Sequence, residues 1–171
     1  MQCFPYSYDI VARFNGGANA GHTVVVDRKK FAFHLLPCGL IYPHTQNLLG
    51  NGTVIHLPSL FNELDPLEPA GVDWRGRLKL SDRATLLFDF HKTVDGRLED
   101  ARRASAAGGG KSIGTTKQGI GPAYASKMTR NAVRVGHLRH RAVFRQRLAA
   151  TIADHQAAYD FECDVNAELD R

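Results

Sequence analysis

Residues 8–27 read YDIVARFNGGANAGHTVVVD and form the start of a predicted sheet. The segment Tyr8–Phe14 alternates apolar and polar side chains and is rich in β-forming residues, which predicts a strand. The strand runs into a loop bounded by Gly16 and Gly21, where the backbone can approach a ligand closely because glycine has no side chain. A second strand is expected over Thr23–Asp27. The stretch therefore predicts two strands joined by a ligand-binding loop.

The rest of the chain mixes strands with helices, which predicts an α/β domain with a mixed, mainly parallel sheet flanked by helices. Further strands are expected at Phe31–Leu36 after a turn at Arg28–Lys29, at Thr53–Leu57 after a turn at Gly50–Gly52, and at Arg77–Leu80. Helices are expected over Leu60–Leu64, Leu86–Arg103 and 139–160, with a flexible loop over 104–110. Because no linker is evident, we treat residues 1–171 as a single partial domain with an unrelated start at 1–7.

A second glycine-rich stretch, residues 114–130, reads GTTKQGIGPAYASKMTR. Its glycines again permit close approach of the backbone, and the hydroxyl of Thr116 and the guanidinium of Arg130 can bind an anion. The nearby GGGKS at 108–112 looks like a phosphate-binding loop. It fails that test because Ser105 stands where such a loop needs glycine, and because a helix precedes it rather than a strand.

Charge is unevenly distributed along the chain, whose formal net charge is +5. Between Ala101 and Ala153 there is no Asp or Glu, yet this stretch holds eleven of the 22 Lys and Arg residues. A long basic stretch without acids predicts an anionic partner such as a phosphate, a nucleotide or a nucleic acid. For residues 139–147 a solvated basic face is an equally good interpretation.

Composition argues against a membrane or secreted protein. The sequence has no apolar run long enough for a transmembrane helix and shows no secretory signal pattern. Its three cysteines, Cys3, Cys38 and Cys163, are few, odd in number and far apart, which favours a reducing compartment over a disulfide framework. We therefore expect a cytoplasmic protein without membrane contact.

Two motifs carry a resemblance to a known family. Asn19–Thr23 reads NAGHT, and Gly119–Arg130 fits the pattern GIGP-x-Y-x-x-K-x-x-R at every fixed position. On these motifs the chain resembles the N-terminal part of the adenylosuccinate synthetase family. The resemblance implies an incomplete P-loop NTPase-like synthetase core and a homodimeric ligase. That ligase joins IMP to L-aspartate in AMP biosynthesis, with GTP and Mg²⁺.

The resemblance also implies roles for individual residues. His22 matches the general acid toward the 6-oxygen of IMP, a role that suits histidine because it titrates near neutrality. The Gly21 carbonyl matches a ligand of Mg²⁺, and Arg130 matches an arginine that reaches the IMP phosphate of the dimer partner. The implied IMP-binding residues are Asn19, Ala20, Gly21, His22, Thr116 and Arg130, and the implied GTP-binding residues are Gly21, His22 and Thr23.

The chain also departs from the family pattern. The family's opening WGDEGKG loop, which holds the catalytic base, has no counterpart in this sequence, and the aspartate-binding and guanine-recognition segments are missing as well. Ala132 and His137 stand where relatives carry a glycine and an acid. Asp89, His91 and Asp95 match a D-[YF]-H-x-x-x-D helix of the family, which we interpret as structural.

Two other functions remain open. The chain could be a non-catalytic remnant that binds IMP or phosphate, or a basic nucleic-acid-binding protein. The basic stretch contains only two aromatic residues, Tyr124 and Phe144, and no nucleic-acid-binding motif, which argues against the last alternative. The remaining histidines and the cysteines show no metal-ligand spacing.

We predict that the 171-residue chain by itself has no measurable synthetase activity. Loss of a general base typically slows a reaction about 10²–10⁴-fold, and segments for two substrates are missing as well. The measurement is a coupled assay with IMP, GTP, Mg²⁺ and L-aspartate. Turnover above the enzyme-free background would contradict the prediction.

Overall fold

The computed structural model describes residues 8–26, 28–105 and 114–170. The chain divides into two compact units, Met1–Ala84 and Thr85–Arg171, called the first and the second unit below. No helix in the described part of the chain is long and apolar enough to span a bilayer. The single partial domain stays a prediction, and its unrelated start at residues 1–7 lies outside the described residues.

The first unit contains a parallel sheet, an antiparallel hairpin and one α-helix. Its elements are β1 (Ile10–Gly16), β2 (His22–Val26), β3 (Lys29–Phe33), a 3₁₀ turn (Cys38–Ile41), β4 (Gln46–Ile55), α1 (Leu57–Leu64) and β5 (Leu78–Leu80). Strand β4 lies between β1 and β5 and is parallel to both, while β2 and β3 form the hairpin. Apolar side chains of β4 and α1, among them Leu49, Ile55 and Leu60, are buried in the core. The predicted α/β class with a mainly parallel sheet is confirmed.

Strand β4 corrects the predicted turn at Gly50–Gly52. The strand runs unbroken through these residues, so both the turn and the separate strand expected after it are wrong. A Cβ on Gly50 would lie 3.2 Å from the carbonyl oxygen of Arg13, and a Cβ on Gly52 would overlap the carbonyl oxygen of Phe14. The β1–β4 register shifts at the same place. The glycines therefore permit close contact between two strands at a bulge, where the sequence alone indicated a chain reversal.

Strand β3 of the hairpin begins and ends earlier in the sequence than expected, at Lys29 and Phe33. Strand β3 ends at Phe33 rather than at Leu36, because the backbone N–H groups of residues 34–36 all donate to the carboxylate of Glu63 on α1. The three N–O distances are 2.9, 2.9 and 3.2 Å. Hydrogen bonds to an ionised acceptor are stronger than neutral ones, so these N–H groups leave the strand ladder.

Helix α1 is longer than expected. It begins at Leu57 instead of Leu60, because Nδ1 of His56 accepts the backbone N–H of Ser59 at 3.3 Å and caps the first turn. Pro58 lies in that first turn, where backbone N–H groups have no hydrogen-bond acceptor within the helix, so a proline there costs no hydrogen bond.

The second unit is mainly helical. Its elements are β6 (Thr85–Leu86), α2 (Asp89–Ser105), α3 (Ile120–Met128), a 3₁₀ helix (Val135–Arg139), α4 (Arg141–Ala158) and α5 (Val165–Leu169). Helical spacing predicts one apolar face on α2 and one on α4. Phe90 and Val94 on α2 and Leu148 and Ile152 on α4 are buried, whereas Leu98 and Phe144, one turn away on these faces, are half-buried.

The helix predicted over Leu86–Arg103 has different ends. It begins at Asp89, because the Leu86 N–H donates to the carbonyl oxygen of Val133 at 2.9 Å and Leu86 lies in β6. It continues to Ser105, so the first two residues of the predicted flexible loop 104–110 are helical. The rest of that loop lies outside the described residues, as does the GGGKS sequence.

The helix predicted over 139–160 is α4, which spans Arg141–Ala158. The residues before it form a 3₁₀ helix, so the predicted start is two residues too early. The predicted end is two residues too late, because the backbone is already extended at Tyr159.

A buried hydrogen-bonded chain joins α2, α3 and α4. Nδ1 of His91 accepts the backbone N–H of Phe88 at 3.0 Å, so its Nε2 carries the proton and donates to the Ser126 hydroxyl at 3.4 Å. That hydroxyl donates to Nε2 of His155 at 3.2 Å, and Nδ1 of His155 donates to the Thr151 carbonyl oxygen at 2.8 Å. One tautomer for each ring satisfies every bond, which is how a core tolerates two histidines.

We predict that Gly52→Ala lowers the free energy of unfolding by about 2–3 kcal/mol, because the new methyl group overlaps the neighbouring strand. The control is Gly121→Ala, where nothing lies within 4 Å of the new Cβ, and which should leave stability unchanged or raise it slightly. Denaturant unfolding of both variants measures the difference. Equal stability of the two variants would contradict the close strand contact.

Candidate functional site

The NAGHT motif begins in the loop after β1 and runs into β2, which contains its last two residues, His22 and Thr23. Gly16 closes β1 with a left-handed φ of 86°, a conformation that glycine adopts without strain. Residues 19–23 are all exposed, and His22 is the first residue of β2. The structure therefore presents the implied IMP- and GTP-contacting residues of the first unit at its surface, on the end of one loop and the start of β2.

Arg13 holds the first half of this loop. Its guanidinium donates to the carbonyl oxygens of Gly17 at 2.7 Å, of Asn15 at 3.3 Å, and also of His34 after β3. A Cβ on Gly16 would lie 3.2 Å from Nη2 of Arg13. The arginine thus ties the end of β1, the glycine loop and the end of the hairpin together. Sequence analysis missed it, because a single arginine in a strand gives no signal of three carbonyl partners.

His22 faces a cavity of the first unit with a volume of about 380 Å³. The cavity is lined by residues 11–16, His22, Leu36, Pro37 and Cys38. This volume lies in the range of small-molecule sites, and an exposed imidazole beside apolar walls and a guanidinium suits a ligand with both polar and apolar parts. The implied proton donor therefore lies at a cavity of ligand size.

The metal-binding role of Gly21 has limited support from its surroundings. The residue is exposed, and a Cβ here would lie 3.4 Å from Nε2 of His34. Magnesium takes six oxygen ligands, several of them water or phosphate, and Gly21 can supply one through its carbonyl. Among the described residues, no three His, Cys, Asp or Glu side chains are grouped so that they could hold a metal ion. The described part of the chain does not form a complete magnesium site.

In the second unit, the segment Gly114–Gly119 forms a tightly turned loop, called the threonine loop below. Its residues Gly114, Lys117 and Gly119 have φ values of 66°, 53° and 75°. Gly119 is the N-cap of α3, and a Cβ there would lie 2.8 Å from the backbone of His91. Thr116, an implied IMP-binding residue, is exposed in the middle of the loop.

Acidic side chains of α2 contact the threonine loop. Oδ2 of Asp95 accepts the N–H of Gly119 at 2.9 Å, and Oε1 of Glu99 accepts the N–H of Gly114 at 3.0 Å. Of the D-[YF]-H-x-x-x-D motif, Asp95 thus binds the backbone of the loop, and a purely structural role for the whole motif stays a prediction. Sequence analysis did not identify Glu99, although the spacing of 91, 95 and 99 marks one polar face next to the apolar face of α2.

Arg130 follows α3 in a strained backbone conformation. Its φ is 67°, the left-handed geometry that glycine usually supplies just after a helix. The Asn131 N–H donates to the Ser126 carbonyl oxygen at 3.2 Å, which closes the helix end. Asn131 is in turn bound to α4, through the Thr151 hydroxyl at 2.6 Å and the Asp154 carboxylate at 2.8 Å. Arg130 itself is exposed.

The two departures from the family motif are accommodated locally. Ala132, in place of glycine, is buried without a left-handed φ. His137, in place of an acid, accepts the Arg134 N–H on Nδ1 at 3.1 Å, so a neutral imidazole caps the 3₁₀ helix as a carboxylate could. Burial lowers the pKa of His137, and the positive charges of Arg147 and Arg134 lower it further, which favours the neutral form that this bond needs.

Comparison with known proteins gives a consistent result. A family model described as adenylosuccinate synthetase matches residues 2–171 of the chain. The chain is 51% identical over 163 residues to adenylosuccinate synthetase of Phaeodactylum tricornutum, covering 95% of this chain and 30% of that protein. It is 53% identical over 166 residues to the chloroplastic adenylosuccinate synthetase of Ostreococcus lucimarinus, covering 96% of this chain and 37% of that protein.

A solved structure is similar as well. The fully ligated adenylosuccinate synthetase from Plasmodium falciparum superposes with a TM-score of 0.85 at 41% sequence identity. The match covers 97% of this chain and 38% of that one. Across further adenylosuccinate synthetases, the chain spans between 29% of the length of the Phytophthora infestans protein and 39% of the Candida glabrata protein.

We predict that Arg130→Gly raises the free energy of unfolding by about 0.5–1 kcal/mol, because glycine adopts the left-handed conformation without strain. Arg28→Gly is the matched control, since Arg28 has a similar φ of 65° in the β2–β3 turn. Thermal or denaturant unfolding measures both. A destabilised Arg130→Gly beside a stabilised Arg28→Gly would show that the Arg130 side chain itself supports the fold.

Proposed function

We propose that this chain, which belongs to the adenylosuccinate synthetase family, forms the IMP-binding part of a ligase. The ligase joins IMP to L-aspartate with GTP and Mg²⁺ and so forms adenylosuccinate for AMP biosynthesis. The observation that carries the proposal is His22, the first residue of β2, which is exposed at a cavity of about 380 Å³ that Arg13 also lines. The activity is that of the related enzymes, and this chain spans 30% and 37% of the length of the two named above.

His22 is proposed as the general acid that supports charge on the 6-oxygen of IMP. The reaction places negative charge on this oxygen as it attacks the γ-phosphate of GTP. An imidazolium or imidazole N–H aimed at the oxygen stabilises that charge, most effectively when its position is fixed in advance. The backbone of His22 is positioned by the pairing of β2 with β3, where His22 lies opposite Phe33, and Arg13 binds the preceding loop and the end of the hairpin. Asn19, Ala20 and Gly21 are proposed to contact IMP from the same loop.

The second unit is proposed to bind the phosphate of IMP. The Thr116 hydroxyl is exposed on a turned loop, and Arg130 is exposed at the end of α3. A guanidinium can bind two phosphate oxygens at once, which suits Arg130 for that group. In a homodimer Arg130 would reach the IMP of the partner. The exposure of Arg130 supports the proposal, because its guanidinium is accessible to an anion.

GTP and magnesium are proposed to bind beside the NAGHT motif. Gly21, His22 and Thr23 contact GTP in this proposal, and the Gly21 carbonyl gives Mg²⁺ one oxygen ligand. When bound, Mg²⁺ would neutralise charge on the transferred phosphoryl group. The catalytic base, the remaining metal ligands and the aspartate site belong to parts of the family's sequence that this chain does not contain. A cytoplasmic location also stays a prediction, since several relatives are chloroplastic by name.

The proposal is tested by hydrogen exchange of the chain with and without IMP. We expect IMP to slow exchange at residues 19–23 and at Thr116, while α5 is unaffected. Inosine, which lacks the phosphate, should protect residues 19–23 but not Thr116. His22→Ala should weaken IMP binding about ten-fold, whereas His44→Ala, an exposed histidine of the same unit that lies outside the cavity lining, should not.

Other outcomes would favour the alternatives. Unchanged exchange with IMP, together with DNA or RNA binding that weakens steeply with salt, would favour a basic nucleic-acid-binding protein. IMP binding by a protein whose transcript encodes no WGDEGKG loop upstream of Met1 would favour a non-catalytic remnant. An in-frame WGDEGKG loop in the transcript would restore the base and favour the synthetase.

A further inference from the structure

Both ends of the threonine loop are bound by carboxylates from one helix. Asp95 and Glu99 are one turn apart on α2, so their side chains project from the same face. Asp95 accepts the N–H of Gly119 at 2.9 Å, and Glu99 accepts the N–H of Gly114 at 3.0 Å. The two acids therefore fix the first and the last residue of the loop, with Thr116 between them.

The burial of these acids indicates that they are more than solvated surface charges. Asp95 is 7% exposed and Glu99 is fully buried. A buried carboxylate is costly to desolvate unless hydrogen bonds or opposite charges compensate. Gly119 supplies the hydrogen bond for Asp95, while Glu99 has the Gly114 N–H and the guanidinium groups of Arg102 and Arg103, each at 3.7 Å.

The loop itself has a conformation that needs such support. Gly114, Lys117 and Gly119 all have positive φ values, and two of them are the residues bound by the acids. A third contact, from Nζ of Lys117 to Asp100 at 3.0 Å, lies between exposed side chains and adds little. The buried pair is therefore the main restraint from α2 on the loop.

We propose that Asp95 and Glu99 are positioning residues, which hold the threonine loop in the conformation that presents Thr116 to a phosphate group. The inference rests on the proposed function for the identity of the ligand, IMP. Its physical basis does not depend on the ligand. Two charge-assisted hydrogen bonds fix the two ends of a six-residue loop, so the Thr116 hydroxyl between them has few alternative positions. Neither acid touches the ligand in this account.

The variants that test this are Asp95→Asn and Glu99→Gln, singly and together. Each keeps the side-chain shape and removes the charge that strengthens the hydrogen bond. The matched control is Glu168→Gln, because Glu168 on α5 also accepts a backbone N–H of α2, that of Phe90 at 3.2 Å, at a residue far in sequence from the threonine loop. All variants are made in the full 171-residue chain, and unfolding midpoints establish that each one folds.

The first measurement needs no ligand. Amide exchange of Gly114 in Glu99→Gln and of Gly119 in Asp95→Asn should be about ten-fold faster than in the wild type, while Glu168→Gln leaves both unchanged. Unchanged exchange at both glycines in both variants would overturn the proposal. If the double variant does not fold, the single variants decide, since each reports on its own end of the loop.

The second measurement is titration with IMP. Each single variant should weaken IMP binding about ten-fold, and the effect should disappear in a Thr116→Ala background, because the acids act through that hydroxyl. An equal loss in the Thr116→Ala background would overturn the positioning role and leave a general structural one. If the wild-type chain binds no IMP, the proposed function fails, while the exchange measurement still decides whether the acids hold the loop.

Discussion

Carboxylates that accept backbone N–H groups hold the threonine loop of the second unit and the segment that follows β3 in the first. Glu63 accepts three such groups where β3 ends, and Asp95 and Glu99 accept one each at the ends of the threonine loop. A segment that leaves regular secondary structure must find other partners for its backbone, because an unpaired buried N–H group is costly. Carboxylate side chains meet this need with strong hydrogen bonds and so fix segments that lie outside the strands and helices.

Left-handed residues mark the points where these segments turn. At Gly16 and Gly119 a neighbouring group also lies where a Cβ would be, so glycine serves both the backbone and the packing. Arg130 has the same backbone geometry but keeps a long side chain. The contacts of Asn131 with α3 and α4 offset the strain at Arg130, and they leave the guanidinium exposed for an anion.

In the second unit, two acidic side chains of α2 are buried, whereas most basic side chains are exposed. The acids of α2 that face the threonine loop are buried and already hydrogen-bonded. The stretch from Ala101 to Ala153 contains no acid, and within it Arg102, Arg103 and Lys117 pair with acids of α2. Positive charges also act on one another: Arg134 contributes to the lowered pKa of Lys127 and of His137, although burial is the larger cause for both. A bound phosphate would relieve this repulsion, which fits the anionic partner predicted from composition.

Local pattern was sufficient for much of this protein. Alternation and helical spacing located β1, the hairpin, α2 and α4, and two short motifs identified the family, because periodicity and fixed motif positions are properties of neighbouring residues. Contacts between distant residues decided the rest. Gly50–Gly52 continues a strand because β1 lies against it, β3 ends where Glu63 binds its backbone, and Glu99 holds a loop fifteen positions away in sequence. Such pairings depend on which surfaces meet after folding, and no window of adjacent residues contains that information.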